Sequence, residues 1–504
     1  MIFSGVEFAY FLPVALALYW LVPRRAGAQN AVLLVLGYLF YFTWSPRLVP
    51  LFALATLVDY AAARFIAAQR EAGGREGATP TEQARRDRLA RLGLGVSLAY
   101  NLGQLCLFKY LGFFAESLAA MLATVGVHAS LPVLHLALPL GISFYTFQKI
   151  AYVVDVYDGK IPACRSPLTF ATFVAFFPQL IAGPIVRGDD TLPQLAAPRR
   201  PDAEQWRAGA GLFLLGFVKK AYVADFLARY VVDPVFADPA HFSARAHWLA
   251  LAGYGVQVFC DFSGYSEMAI GTGRLFGVEL PKNFDYPLLA KSLPELWRRW
   301  HITLNTWLFE YVFGPLTTGT SWLRGRLDAG FLVVFLASGL WHGARATFVV
   351  WGLVHGLGLV VHHRWDEAWR GLCRKDRAWV ARRRSAPYVA LSWALPQAFF
   401  LLSLVPFRSA SLGDAARFAR GLLAPHAGPA LPAASAAPFG ALQVALCFAL
   451  FAAYHLLEIG RGARLRDAFF ALHPVVRGAV YGAVVALLLL LVPVSAGTFI
   501  YAQF

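Results

Sequence analysis

Residues 335–356 read FLASGLWHGARATFVVWGLVHG. Two apolar runs meet at His342, which Trp341 and Gly343 flank. An ionisable side chain inside an apolar segment is costly, so it marks either a satisfied core contact or chemistry. Neutral imidazole tolerates such a place better than a carboxylate or an ammonium does. Its ordinary pKa of about 6.5 also suits removal of a proton from a hydroxyl. On this segment alone, a histidine bonded to a backbone carbonyl and a catalytic base are equally open readings.

The chain around it has the same character. Of 504 residues, 58% are hydrophobic and 15% charged, and the mean hydropathy is +0.54. Soluble domains are about half apolar and about a quarter charged, so both figures point to a membrane. The charges gather in short clusters between apolar stretches. That fits one continuous membrane domain over 1–504, with peripheral spans at 1–130, a core at 131–363 and further spans at 364–504. A crossing needs about 20 mostly apolar residues. Candidate spans run from 7–22 to 476–498 and include 92–111, 113–127, 132–154, 168–186, 329–341 and 346–362. Several are short, so the expected architecture is an all-α polytopic bundle of about eleven crossings with re-entrant or interfacial helices. The first residues, MIFSGVEFAYFLPVALALYWLVPRR, lack a basic n-region and carry their arginines after the apolar run. They read as a retained first span rather than a signal peptide.

The net charge is +16. The basic residues lie beside apolar spans, as membrane orientation requires, and no polar domain carries a patch for nucleic acid. The clusters within 64–91, 364–384 and 461–477 are expected to face the cytoplasm. The amino terminus and the Pro/Ala-rich stretch Ala424–Gly440 would then lie outside. No internal repeat and no matched pair of broken halves is visible, which argues against a solenoid and a secondary transporter. The five cysteines are scattered, with no CxxC pair, and read as buried small hydrophobes. GxSxG, a P-loop and HExxH are absent, and no metal is expected.

Residues 256–316 differ from the rest. Acidic, basic and aromatic residues alternate there too densely for a lipid-facing helix, and Pro281, Pro287 and Pro294 interrupt it. Irregular backbone at membrane depth must be buried in protein or line a wet cavity, so a site belongs here. His301 follows Trp297-Arg298-Arg299-Trp300. The two arginines favour its neutral form and suit phosphate oxygens of a nucleotide-like donor. The residues alone favour a basic interfacial helix instead. His355, thirteen residues after His342, would lie about 220° around an ideal helix from it and reads as structural. His362 and His363 read as interfacial. Asp261 and Glu267 are expected to pair with Arg274 or a backbone donor, and Asp155 and Asp225 to form internal ion pairs.

The ordered runs DFSGYSEMAIGTGRLFG (261–277), PKNFDYP (281–287), ELWRRWHITLNTWLFEY (295–311) and SGLWHGARATFVVWGLVHG (338–356) resemble the membrane-bound O-acyltransferase family. LPLGISFYTFQKIAYVVDVY (138–157), FVAFFPQLIAGPIVR (173–187), GLFLLGFVKKAYVADFLA (211–228) and the closing FIYAQF are similar to its bacterial alginate O-acetylation branch. The stretch GPLTTGTSW (314–322) departs from it, where the family has a glycine pair. The resemblance implies that His342 is the essential catalytic residue and His301 its partner, in a tunnel entered by donor from the cytoplasm and by acceptor from the other face. It implies His342 as general base, with His301, Asn305 or a backbone amide orienting the donor or holding the oxyanion. Arg298 and Arg299 would contact the donor, and Asp261, Tyr265, Trp300 and Trp341 would wall the site. The implied donor is acetyl-CoA, with no bound cofactor. The implied acceptor is an exported polysaccharide such as alginate, reached through a periplasmic acetyltransferase or export proteins at a bacterial inner membrane. D-alanyl or acetyl transfer to teichoic acid, peptidoglycan or cellulose stands as the alternative within the fold. A donor transporter or a non-catalytic scaffold stands outside it.

Overall fold

The computed structural model describes residues 1–44, 46–73, 79–127, 139, 141–200, 202–319, 321–423, 428–432, 438–457 and 462–491. Arg75, Arg461, most of Ala424–Gly440 and FIYAQF lie outside the described residues, as do parts of the expected spans 132–154 and 476–498. Among the described residues there are helices and turns and no strand. Among the described residues, four helices are long and apolar enough to cross a bilayer: Pro46–Gly73, Pro80–Thr124, Ala346–Lys375 and Ala386–Arg408. Four shorter apolar helices join them, Val6–Leu21, Ala26–Phe42, Leu327–His342 and Gly440–Leu456. Large apolar side chains such as Tyr10, Leu21 and Val35 remain exposed along these helices, as surfaces facing lipid do.

Several expected boundaries shift. The separate spans 92–111 and 113–127 form one helical run, because a π turn at Cys106–Tyr110 carries the chain through Lys109 without a break. Residues 168–186 do not make one helix. Pro178 and Pro184 limit them to Pro167–Ala175, a single turn at Phe177–Leu180, and irregular backbone that is buried throughout. The first two basic clusters are largely helical extensions rather than loops. Cys260 and Cys447 are buried as expected, whereas Cys106 is exposed.

The chain gathers into two compact units, residues 1–214 with 266–281 and residues 215–265 with 282–504. In the first, α1 (Val6–Leu21) and α2 (Ala26–Phe42) precede a helical pair, α3 (Val49–Gly73) and α4 (Pro80–Leu105), on which α5 (Ile142–Tyr157) packs. Thr79 caps α4 by accepting from the Glu82 amide, with Pro80 in the first turn. Asp59 of α3 and Lys149 of α5 meet at 3.0 Å, both fully buried. Ser97 and Asn101 of α4 donate to the same carboxylate at 2.5 and 2.8 Å. An ion pair removed from water survives only with such added hydrogen bonds. Arg199 ties other parts of this unit together, donating to Tyr19 Oη and Asn30 Oδ1 while Tyr19 donates to the Phe276 carbonyl. Asp155 is held by Lys160 and Arg187, each at 3.3 Å, which joins two of the motif segments.

The second unit contains the part of α6 (Ala244–Leu275) up to Tyr265. It also holds the short helices α7 (Leu293–Arg299) and α8 (Ile302–Leu308). Then come α9 (Leu327–His342), α10 (Ala346–Lys375) and α11 (Ala386–Arg408). Asp225 forms its expected internal pair, with Lys220 at 2.7 Å, and Asp261 meets the same ammonium at 2.5 Å. Arg274 is not the partner of Asp261; it bonds Glu279.

Candidate active site

His342 is the last residue of α9, and α10 begins only four residues later. The two helices lie so close that a methyl group on Gly339 would stand 3.2 Å from Gly352 Cα, and one on Gly356 3.1 Å from Leu332 Cα. Gly352 and Gly356 therefore form a small-residue seam of the kind that lets membrane helices touch backbone to backbone. They are packing contacts between the two helices. Gly343 has a different purpose: the Phe348 ring occupies the place a side chain there would take. The reversal of direction also removes the single-helix geometry behind the 220° estimate. Trp351 lies 5.0 Å from the His342 ring and 4.6 Å from the His355 ring, so the two histidines share a neighbour. His355 is bonded to Ser403 at 2.8 Å, the structural place expected for it. His342 is 5% exposed, and Phe407 closes another side at 5.1 Å.

His301 is built by a different device. Ser292 caps α7 by accepting from the Glu295 amide, with Pro294 in the first turn. After Arg299 the chain turns at His301, whose φ of 46° lies in the left-handed region, and re-enters helix as α8. Non-glycine residues adopt this conformation only where the surroundings enforce it. The segment 283–285 does so, since Ile302 donates to the Asn283 carbonyl and Asp285 to the Arg299 carbonyl, both at 2.9 Å. Asn305 donates to the carbonyls of Trp300 and His301. Its amide holds the turn. His301 is 1% exposed, with Phe262 edge-on at 4.5 Å and Asn283 Oδ1 at 3.1 Å from Nδ1.

One indole joins the two histidines. The Trp341 ring lies 4.8 Å from that of His342 and 5.7 Å from that of His301. The other predicted residues divide. Trp300 is buried against Phe284 and Phe400, and Tyr265 is buried one turn beyond Asp261. Arg299 bonds Glu295 and the Asp285 carbonyl, whereas Arg298 is exposed. His363 bonds Asp328 at 2.8 Å, beside Arg364. No cluster of metal-binding side chains occurs among the described residues.

The model of the membrane-bound O-acyltransferase family matches residues 164–405, a range that contains both histidines. A probable alginate O-acetylase of Pseudomonas putida is 36% identical over 420 residues, 83% of this chain and 79% of its own. The chain belongs to the membrane-bound O-acyltransferase family. It is a multi-pass membrane O-acyltransferase. A second probable alginate O-acetylase, from Azotobacter vinelandii, is 40% identical over 72% of this chain and 68% of its own length. A peptidoglycan O-acetyltransferase of Helicobacter pylori is 32% identical over 82% of this chain and 78% of its own.

Some residues around His301 and His342 carry no mark of their own in the sequence. Asn283 sits inside PKNFDYP, where only its position between two prolines hints at an ordered turn. Trp351 and Phe407 look like ordinary apolar residues. In the other compact unit, Lys149 and Asp59 do carry such a mark, because charges inside apolar spans give the same signal that singled out His342.

Proposed function

We propose that this acyltransferase moves an acetyl group from a cytoplasmic thioester donor, acetyl-CoA, across the membrane for O-acetylation of an exported polysaccharide such as alginate. The observation that carries this reading is the pair of buried imidazoles on one indole, in a chain similar over most of its length to alginate O-acetylases. His342 acts as general base and takes the proton of an acceptor hydroxyl. The oxygen attacks the thioester carbonyl, the C–S bond breaks, and the thiolate leaves with the proton that His342 returns. No net proton is gained or lost. His301 faces the same indole and contacts the reacting groups. Asn305 and Arg299, whose donors are spent on the surrounding backbone and on Glu295, hold the turn that carries His301. Arg298 is the arginine exposed to meet donor phosphates. Asp261, Tyr265 and Trp300 form the supporting wall.

The immediate acceptor in this reading is the hydroxyl of a periplasmic acetyltransferase that completes the esterification, and the membrane is the bacterial inner membrane. The basic helical ends support a cytoplasmic side for Arg70–Arg91 and Arg364–Arg384. A strain making His342→Ala at normal levels should export polymer stripped of its acetyl esters. Unchanged ester content would sink the mechanism. Loss of D-alanyl esters, or of peptidoglycan acetylation, would move the acceptor to another envelope polymer.

A further inference from the structure

We propose that Asn283 is a positioning residue that fixes His301 in the tautomer with its proton on Nδ1 and its lone pair on Nε2. This rests on the placement of His301 in the site above and adds which way its hydrogen bonds run. The Asn283 side-chain oxygen lies 3.2 Å from the backbone nitrogen of Thr303, 3.0 Å from Thr303 Oγ1 and 3.1 Å from His301 Nδ1. A backbone N–H can only donate. The amide atom facing it is therefore the oxygen, because a reversed amide would set two donors against each other. An amide oxygen can only accept, so the hydrogen between Asn283 and His301 belongs to Nδ1. In a neutral imidazole the other nitrogen is then the acceptor.

The arrangement is rigid on every side that sets it. Asn283 accepts the Ile302 amide on its own carbonyl, and its side chain caps the second amide of α8 from outside that helix. Phe262 stands at 90° to the imidazole. The left-handed backbone at His301 fixes where the ring leaves the chain, at the break between α7 and α8. The chemical consequence separates two roles open from the sequence. Neutral His301 offers an acceptor at Nε2, suited to a hydroxyl or a protonated partner. It does not offer an Nε2–H to an oxyanion.

Full-length protein in lipid nanodiscs, labelled with 15N-histidine, tests this directly. The His301 signals are assigned by their loss in His301→Gln. Wild type should show His301 protonated at Nδ1 and bare at Nε2. In Asn283→Leu the tautomer should shift toward Nε2–H, with kcat falling about 100-fold and KM held within about threefold. Asn283→Asp, which keeps an acceptor oxygen, should retain the wild-type tautomer and lie within about tenfold of wild-type turnover. An Nε2–H tautomer in wild type, or an unchanged one in Asn283→Leu, overturns the assignment. A fully active His301→Gln overturns instead the placement of His301 in the reaction, whatever tautomer is found.

Discussion

His301 and Trp341 face each other with ring centres 5.7 Å apart and planes tilted by 58°. The reverse face of the problem is His342, covalently next to the same indole, so the indole sets the spacing of both imidazoles. Trp341→Ala should remove that spacer and lower turnover by about 100-fold, beyond the stability cost of about 3–5 kcal/mol for truncating a buried tryptophan. Trp341→Phe keeps a ring and should lose about tenfold or less. Acyl-transfer rates measured alongside thermal unfolding of the same samples separate the two effects. Equal rates for Ala and Phe would rule out a spacer.

The two arginines beside His301 should behave differently. Arg298 is exposed, and Arg298→Gln should raise KM for the thioester donor about tenfold with kcat unchanged. Arg299 is committed to Glu295 and the Asp285 carbonyl. Arg299→Gln should therefore lower the unfolding temperature and kcat together. Donor titrations on purified protein decide between these patterns, and identical behaviour would contradict both assignments.

Lys149 and Asp59 form a charge pair without contact with water. Lys149→Met strands the carboxylate and should destabilise the protein by about 3–5 kcal/mol. Adding Asp59→Leu should recover most of that loss, although Ser97 and Asn101 then lose their acceptor. Denaturation of the two single variants and the double variant in detergent gives the coupling. Additive losses would show that the pair is not coupled.

The α9–α10 seam predicts steric intolerance at particular glycines. Gly352→Leu would drive a side chain into the Phe335 backbone and should leave little folded protein, because overpacking there costs well above the usual ~1–3 kcal/mol. Gly371, further along the same helix, has no neighbour within 4 Å. Gly371→Leu should express and acylate at wild-type levels. Folded yield by size-exclusion chromatography is the measurement.

The membrane class was legible because it depends on composition, and composition survives ignorance of packing. The burial of His342 could be read from its place in an apolar segment, whereas His301 stood out only through the ordered family motifs, since its own neighbours favoured an interfacial helix. Their neighbours in the fold were not legible. Trp351 is one apolar residue among many until the α9–α10 reversal sets it against His342. The angular separation of His342 and His355 failed on one assumption, that helix continues through Gly343–Arg345. Arg274 failed as the partner of Asp261 because local sequence offers the nearest cation along the chain, whereas Lys220 arrives from a preceding segment. Asn283 was hidden because its importance lies in which atom it presents, a property of an amide's surroundings.

The glycine seam has a practical meaning for specificity. With Gly339 already against Gly352, spreading α9 from α10 to admit a bulkier acyl chain would give up the backbone-to-backbone packing of the seam. Room at His342 can be gained with the seam intact by trimming the aromatic side chains of Trp351 and Phe407. Attempts to retune this enzyme toward longer acyl groups should therefore begin with those two rings and leave the helix pair untouched.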